Sequence, residues 1–164
     1  MISAKNRTLI KKIISFLFLS LFCTNITFAQ APKKPTSGEI YESLKKLNFL
    51  GTVLYIAAHP DDENTRLISY FANDVKARTA YLSITRGDGG QNLIGPELSE
   101  LLGVIRTQEL LAARRIDGGE QFFTRANDFG YSKHPDETLN MWNKEAVLND
   151  VVATIRKLKP DVII

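Results

Sequence analysis

This 164-residue sequence predicts an α/β fold, a parallel sheet with helices on both faces. Two patterns predict it. From Thr52 onward, short runs rich in aliphatic and β-branched residues alternate with longer segments whose apolar residues recur every three or four positions. Such alternation builds βαβ units, whose strands lie parallel and whose crossovers cover both faces. The second pattern is the run Thr52 to Ala58, almost continuously apolar, which suits a strand buried on both faces better than a half-exposed one. The length is enough for about one domain.

The first 29 residues contain Lys5, Arg7, Lys11 and Lys12 and no acid. A basic stretch, the apolar run Ile13 to Cys23, then Thr27, Phe28 and Ala29 predict a secretory signal peptide over 1–29 and therefore export. The apolar core is about half the ~20 residues of a spanning helix, so no membrane span is expected after cleavage. An uncleaved anchor is the competing reading. Without the leader, 17 basic side chains face 18 acidic ones, so the formal charge of +3 is no reason to expect nucleic-acid binding. Cys23 is the only cysteine, so the mature chain is expected to use neither disulfides nor thiol chemistry.

Residues 30–38, with two prolines, read as a linker, and 39–164 as the folded part. Ile40, Leu44 and Leu47 share a helical face, predicting a lead-in helix over 39–47. After the first strand, Glu63 to Asn73 suits a helix with Leu67, Ile68 and Phe71 at helical spacing. Thr79 to Thr85 reads as a second strand, and Arg86 to Gly90 as a loop. Gly95, Pro96 and Glu97 are expected to start a helix running to about Asp117, with Leu98, Leu101, Leu102, Ile105, Ala112 and Ile116 facing inward and Gly118 and Gly119 closing it. Gln121 to Thr124 reads as a third strand and Arg125 to Asn140 as a polar loop. Lys144 to Leu158 reads as a helix burying Val147, Val151, Ile155 and Leu158, and Asp161 begins another apolar strand. With no loop or helix after that strand, the expectation is the N-terminal part of a longer protein.

The chemistry concentrates at one place. The first strand runs into His59, Pro60, Asp61, Asp62 and Glu63. In open α/β sheets ligands bind beyond the carboxyl ends of strands. Acids in the first turn of a helix are also favoured by its dipole, and each taken alone is explained that way. Three carboxylates beside one imidazole, however, repel each other unless a cation offsets them. Imidazole nitrogen and carboxylate oxygen suit zinc, and His59 and Asp62, three apart across a turn, can reach one ion.

The segment AAHPDDE, Ala57 to Glu63, closely resembles the signature of the PIG-L/LmbE family of zinc-dependent de-N-acetylases, which have a Rossmann-like fold. Gly87 and Gly90 resemble its glycine loop, Arg106 to Glu109 with Ala112 and Ala113 its Arg-x-x-Glu-x-x-x-Ala helix, and Asp128 in NDFGYS a substrate-contacting acid. The resemblance covers roughly 52–164. It implies His59 and Asp62 as zinc ligands, and Asp61 as the general base that takes a proton from the attacking water. Arg106 and Asp128 are implied to hold sugar hydroxyls, and the substrate to be an N-acetylated amino sugar of the N-acetylglucosamine type. Glu63 is read as a helix-start carboxylate. Catalytic zinc takes three protein ligands. The family's third lies after the strand matching Asp161 to Ile164, so the chain as it stands is expected to be inactive. The other histidine, His134, is expected to be an exposed loop residue. Two other readings remain open, a sugar-binding module without turnover and a phosphoesterase using Asp61 and Asp62.

Overall fold

The computed structural model describes residues 6, 10–17 and 34–164. The expected cleavage site at Thr27 to Ala29, Cys23 and most of the leader lie outside the described residues. The chain divides into two compact units, Met1–Thr36 and Ser37–Ile164. In the first, residues 10–17 are helical. Among the described residues no helix is long and apolar enough to cross a membrane.

The second unit contains helix α1 (Ser37–Lys46), strand β1 (Thr52–Ala57), helix α2 (Thr65–Ser69) with a π-helical turn at Tyr70–Asp74, strand β2 (Arg78–Ser83), helix α3 (Glu100–Asp117), strand β3 (Glu120–Phe123), helices α4 (Pro135–Trp142) and α5 (Lys144–Leu158), and strand β4 (Val162–Ile163). The four strands form one sheet in the order β3-β2-β1-β4, and every pairing is parallel. The registers set Leu54 beside Ala80, Tyr55 beside Tyr81 and Ile56 beside Leu82. Since successive strand residues face opposite ways, this register sorts side chains into two layers. Leu54, Ala80 and Leu82 meet Leu158, Val151 and Ile155 of α5 on one face. Tyr81, Tyr55 and Phe123 meet Ile68 of α2 and Leu110 of α3 on the other. The expected parallel α/β sheet with helices on both faces is the observed fold.

Several elements depart from expectation. The helix after β1 starts at Thr65, because Asn64 caps it by accepting from the Leu67 N–H at 3.0 Å. Asp61, Asp62 and Glu63 therefore precede the helix rather than fill its first turn. α3 starts at Glu100, not near Pro96. The Asn92 side chain accepts from the Ile94 and Gly95 N–H groups and donates to Glu97, which turns that stretch into a loop. Leu98, Leu101 and Ile116 are 61%, 65% and 85% exposed rather than inward. Leu102 is buried as expected, Ile105 and Ala112 are half-buried, and the rest of the buried stripe of α3 is Gly103, Leu110, Arg114 and Asp117. Part of the expected loop 125–140 is helix α4, with Pro135 at its start. Gly118, in the left-handed conformation, ends α3 as expected.

The chain works outward from β1 to β2 and β3, then returns to β1's other side for β4. The order thus reverses between β1 and β4. Such a switch opens a crevice at the carboxyl ends of the strands. The residues that follow β1 stand at its rim.

Candidate metal centre and active site

β1–β2 pairing continues past β1, as the Thr85 N–H and hydroxyl both donate to the Ala58 carbonyl, at 2.9 and 3.0 Å. His59 is the first residue beyond this ladder. The Asp62 N–H donates to the His59 carbonyl at 3.3 Å, closing a tight turn over Pro60 and Asp61. Asp61 has a φ of 96°, a conformation that L-residues with a side chain avoid. Gly87, with a φ of 70°, packs under this turn. A Cβ there would lie 3.2 Å from the Pro60 ring, so both backbone and space call for glycine.

The turn brings two metal-ligating groups together. His59 Nδ1 lies 3.2 Å from Asp62 Oδ2, which also accepts the His59 N–H at 2.9 Å. Two donors on one tetrahedral zinc, each at about 2.0–2.2 Å, stand about 3.4 Å apart. The pair therefore has close to the separation that a shared zinc ion requires. Both side chains are partly open to solvent. Among the described residues no third His, Cys, Asp or Glu completes a group of three. His134 is exposed and occupies the N-cap position of α4.

Asp128 stands on the other side of the His59 ring, with Oδ1 3.8 Å from Nε2. Its side chain is 8% exposed. At that distance the carboxylate lies near the ring without accepting a hydrogen bond from it. The loop carrying Asp128 is well tied. Asp88 accepts the Asp128 N–H at 3.1 Å, Asp128 accepts the Gly130 N–H at 2.8 Å, and Trp142 of α4 donates to the Asn127 carbonyl at 2.9 Å. Gly89 lies so close that a Cβ would come within 2.6 Å of the Asp128 backbone. This is where α4 matters to the site.

Arg106 of α3 reaches across to the turn. One guanidinium nitrogen donates to the Pro60 carbonyl at 2.6 Å and to Asp61 Oδ2 at 2.9 Å. Its Nε lies 3.3 Å from Glu109 Oε2 without aiming a hydrogen at it, so the contact is one of charge and this buried N–H makes no hydrogen bond. The Asp61 side chain is otherwise open, 72% exposed. It lines a cleft of about 370 Å3 with Pro60, Glu63, Thr65, Arg106 and Leu110. Beside it, a second cleft of about 320 Å3 is lined by Arg86, Asp88, Thr107, Gln108 and Asn127. The Arg86 guanidinium stacks on the Phe123 ring, 4.2 Å from its centre, and donates to Thr107 at 3.0 Å.

Of the five residues singled out in the sequence, His59, Asp61 and Asp62 form one turn. Arg106 and Asp128 are turned onto that turn, from α3 and from the loop after β3. Glu63 is neither a ligand nor a helix cap. Its side chain is 4% exposed and accepts from Arg114 at 3.1 Å, while its other oxygen accepts the Asp61 N–H at 2.9 Å. Arg114 also clasps Asp117 through bonds of 2.6 and 3.0 Å. Tyr81 donates its hydroxyl to the His59 carbonyl at 2.5 Å. Burial pushes that phenol well above its usual range, so it remains a donor. Nothing in the sequence marks Arg114 and Asp117 as buried, except that they continue the helical spacing of Leu102 and Leu110.

Comparison with known proteins accords with this geometry. A family profile for PIG-L, described as GlcNAc-PI de-N-acetylase, matches residues 54–164. Among solved structures, GalB, the 4-carboxy-2-hydroxymuconate hydratase from Pseudomonas putida KT2440, is similar with a TM-score of 0.53 and 18% identity. The match covers 69% of this chain and 45% of that one, so the chain spans less than half of that protein's length. At that identity the likeness concerns the fold alone. No curated protein matches. The profile runs from within β1 to the end of β4 and takes in the whole His59–Asp62 turn, and on that match the chain belongs to the PIG-L family.

Proposed function

We propose that this is an exported, zinc-dependent hydrolase that removes acetyl from an N-acetylated amino sugar, of the N-acetylglucosamine type, on a glycan or conjugate. The observation that carries the reading is the turn after β1. Two groups that can ligate zinc lie 3.2 Å apart, and the carboxylate between them in sequence is exposed and lines an adjoining cleft of about 370 Å3. His59 and Asp62 hold the ion. Bound zinc supplies Lewis-acid polarisation of the carbonyl and acidifies water.

The chain's own residues do the rest. Asp61 takes a proton from the water that attacks the acetamide carbon, and the proton passes to the departing amine, leaving acetate and a free amino sugar. Arg106 grips Asp61 Oδ2 and so leaves the other oxygen to act as base. Asp128, beside the far nitrogen of His59, is placed to contact a sugar hydroxyl. The third zinc donor is proposed to come from a histidine beyond Ile164, and the leader to direct export. On this reading the 164-residue chain alone holds zinc weakly and releases no acetate. A sugar-binding module that never turns over is the competing reading, and replacement of the third donor in the downstream segment would favour it.

The test compares the chain with a version extended downstream, measuring zinc stoichiometry and acetate release from N-acetylglucosamine conjugates. In the extended protein, Asp61→Asn should abolish acetate release yet retain zinc, whereas Asp62→Ala should lose both. Zinc-loaded extended protein that binds the sugar without releasing acetate would leave the binding module as the better reading.

A further inference from the structure

Three successive residues of the active turn are each held by their backbone. The Tyr81 hydroxyl donates to the His59 carbonyl, Arg106 to the Pro60 carbonyl, and the Asp61 N–H to Glu63 Oε2. The first two holders come from β2 and α3. The third is a near neighbour in sequence, so alone it would move with the turn it holds. It does not stand alone, because its second oxygen is bonded to Arg114.

Arg114 is fixed without reference to the turn. It clasps Asp117 at the end of α3, donates to Gln121 of β3 at 3.3 Å, and lies over the Tyr81 ring of β2 at 5.3 Å. Glu63 is therefore the held partner and Arg114 the anchor. Glu63 follows an exposed turn, where a carboxylate could stay in water at no cost. Its burial is unfavourable unless fully compensated, and compensation here needs both Arg114 and the Asp61 amide. The group it fixes is the backbone of the one residue in the turn with a φ of 96°. A backbone in a disfavoured region persists only when its surroundings over-determine it.

We propose that Glu63 and Arg114 are positioning residues, a buried ion pair that ties the Asp61 amide to the body of the protein and keeps its carboxylate aimed into the cleft. Their catalytic meaning rests on Asp61 being the base proposed above. Their structural meaning does not, and the test separates the two.

The cluster of Glu63, Arg114 and Asp117 holds two acids and one base. Neutralising Glu63 therefore balances it, and the fold should tolerate Glu63→Gln and Glu63→Met. Glutamine has one accepting end and one donating end, so it cannot accept from Arg114 and Asp61 together. Methionine can accept from neither. Hydrogen exchange of the Asp61 amide is measured by NMR in the metal-free parent chain and both variants. Val147→Ala, a core change in α5, serves as a control for general loosening. The expected result is exchange at Asp61 about tenfold faster or more in Glu63→Met, less so in Glu63→Gln, and unchanged in the control. In the zinc-loaded extended protein, kcat should fall by about 10- to 100-fold with KM and zinc content held, the scale of misplacing a reacting group.

Unchanged Asp61 exchange in both variants would overturn the proposal. So would a kcat equal to the parent's in an acetate-releasing protein. If Glu63→Met fails to fold, Glu63→Gln decides alone. A parent protein that releases no acetate would overturn the deacetylase reading while leaving the exchange result to judge the brace.

Discussion

Asp61 does two jobs that pull against each other. Its carboxylate, the proposed base, lines the cleft, and the turn that puts it there has a φ of 96° at this residue. A left-handed backbone costs an L-residue about 1–2 kcal/mol, and glycine escapes this. Asp61→Gly should therefore be more stable than Asp61→Ala by about 1 kcal/mol, and on the proposed reading neither should release acetate in the extended protein. Both substitutions remove the ion pair to Arg106, so comparing them isolates the backbone term. Thermal unfolding of the two variants checks it, and equal midpoints would mean that the turn relaxes without strain. At this scale the sequence was readable where residues adjoin. His59, Asp61 and Asp62 could be placed because a buried strand had to end there. Glu63 was not readable. Its role depends on Arg114, 51 positions away, and a charged side chain near a helix start is ordinarily a cap.

Helix α3 shows why some elements were legible and others not. Its C-terminal end was clear from Gly118, since a left-handed cap has a sequence signal. Its inward face is legible only in part. The rule that buried faces are apolar picks out Leu102, which is buried, but also Leu101 and Ile116, which are exposed. The buried side carries Arg114 and Asp117 in place of leucines, and Arg106 reaches the active turn from the same helix. Helix α5 has no such duty, and its bounds and apolar stripe follow the simple pattern. Local rules fail where an element supports the site.

Where charges serve the sheet alone, their effect is open to a pH test. Arg78 at the start of β2 grips Glu120 at the start of β3 with two bonds, of 2.7 and 3.0 Å. The Arg78 guanidinium holds the Glu120 carboxyl below the usual glutamate range, against partial burial. A depressed folded-state value stabilises the protein above the unfolded value, about 4.3, and this contribution is lost as pH falls through the lower, folded one. The pair is nearly half exposed, so it contributes at most about 1 kcal/mol. Glu120→Gln should lower the melting temperature by a few degrees at pH 7, and the gap from the parent should close in acid. A gap that widens on acidification would contradict the assignment.

The sheet as a whole was largely legible, because strand–helix alternation constrains topology more tightly than it constrains any one boundary. What alternation does not reveal is how well each strand is covered. The two helical layers lie over β1, β2 and β3, where Leu54, Ala80, Tyr81 and Leu82 are fully buried. β4 is short, its backbone bonds to β1 running from Asp161 to Ile164, and Val162, Ile163 and Ile164 are 48%, 50% and 43% exposed. Neighbours in a strand point to opposite faces, so both faces are open at this edge. An uncovered apolar edge strand presents unpaired backbone groups to any second copy. The 164-residue chain is therefore expected to self-associate with rising concentration. A lysine on such an edge opposes pairing by burying charge in the contact. Ile163→Lys should shift the chain toward monomer, and Leu148→Lys, an exposed position on α5, should not. Sedimentation velocity over a concentration series distinguishes the outcomes. If both variants, or neither, change the distribution, self-association runs through another surface and the β4 edge is not its cause.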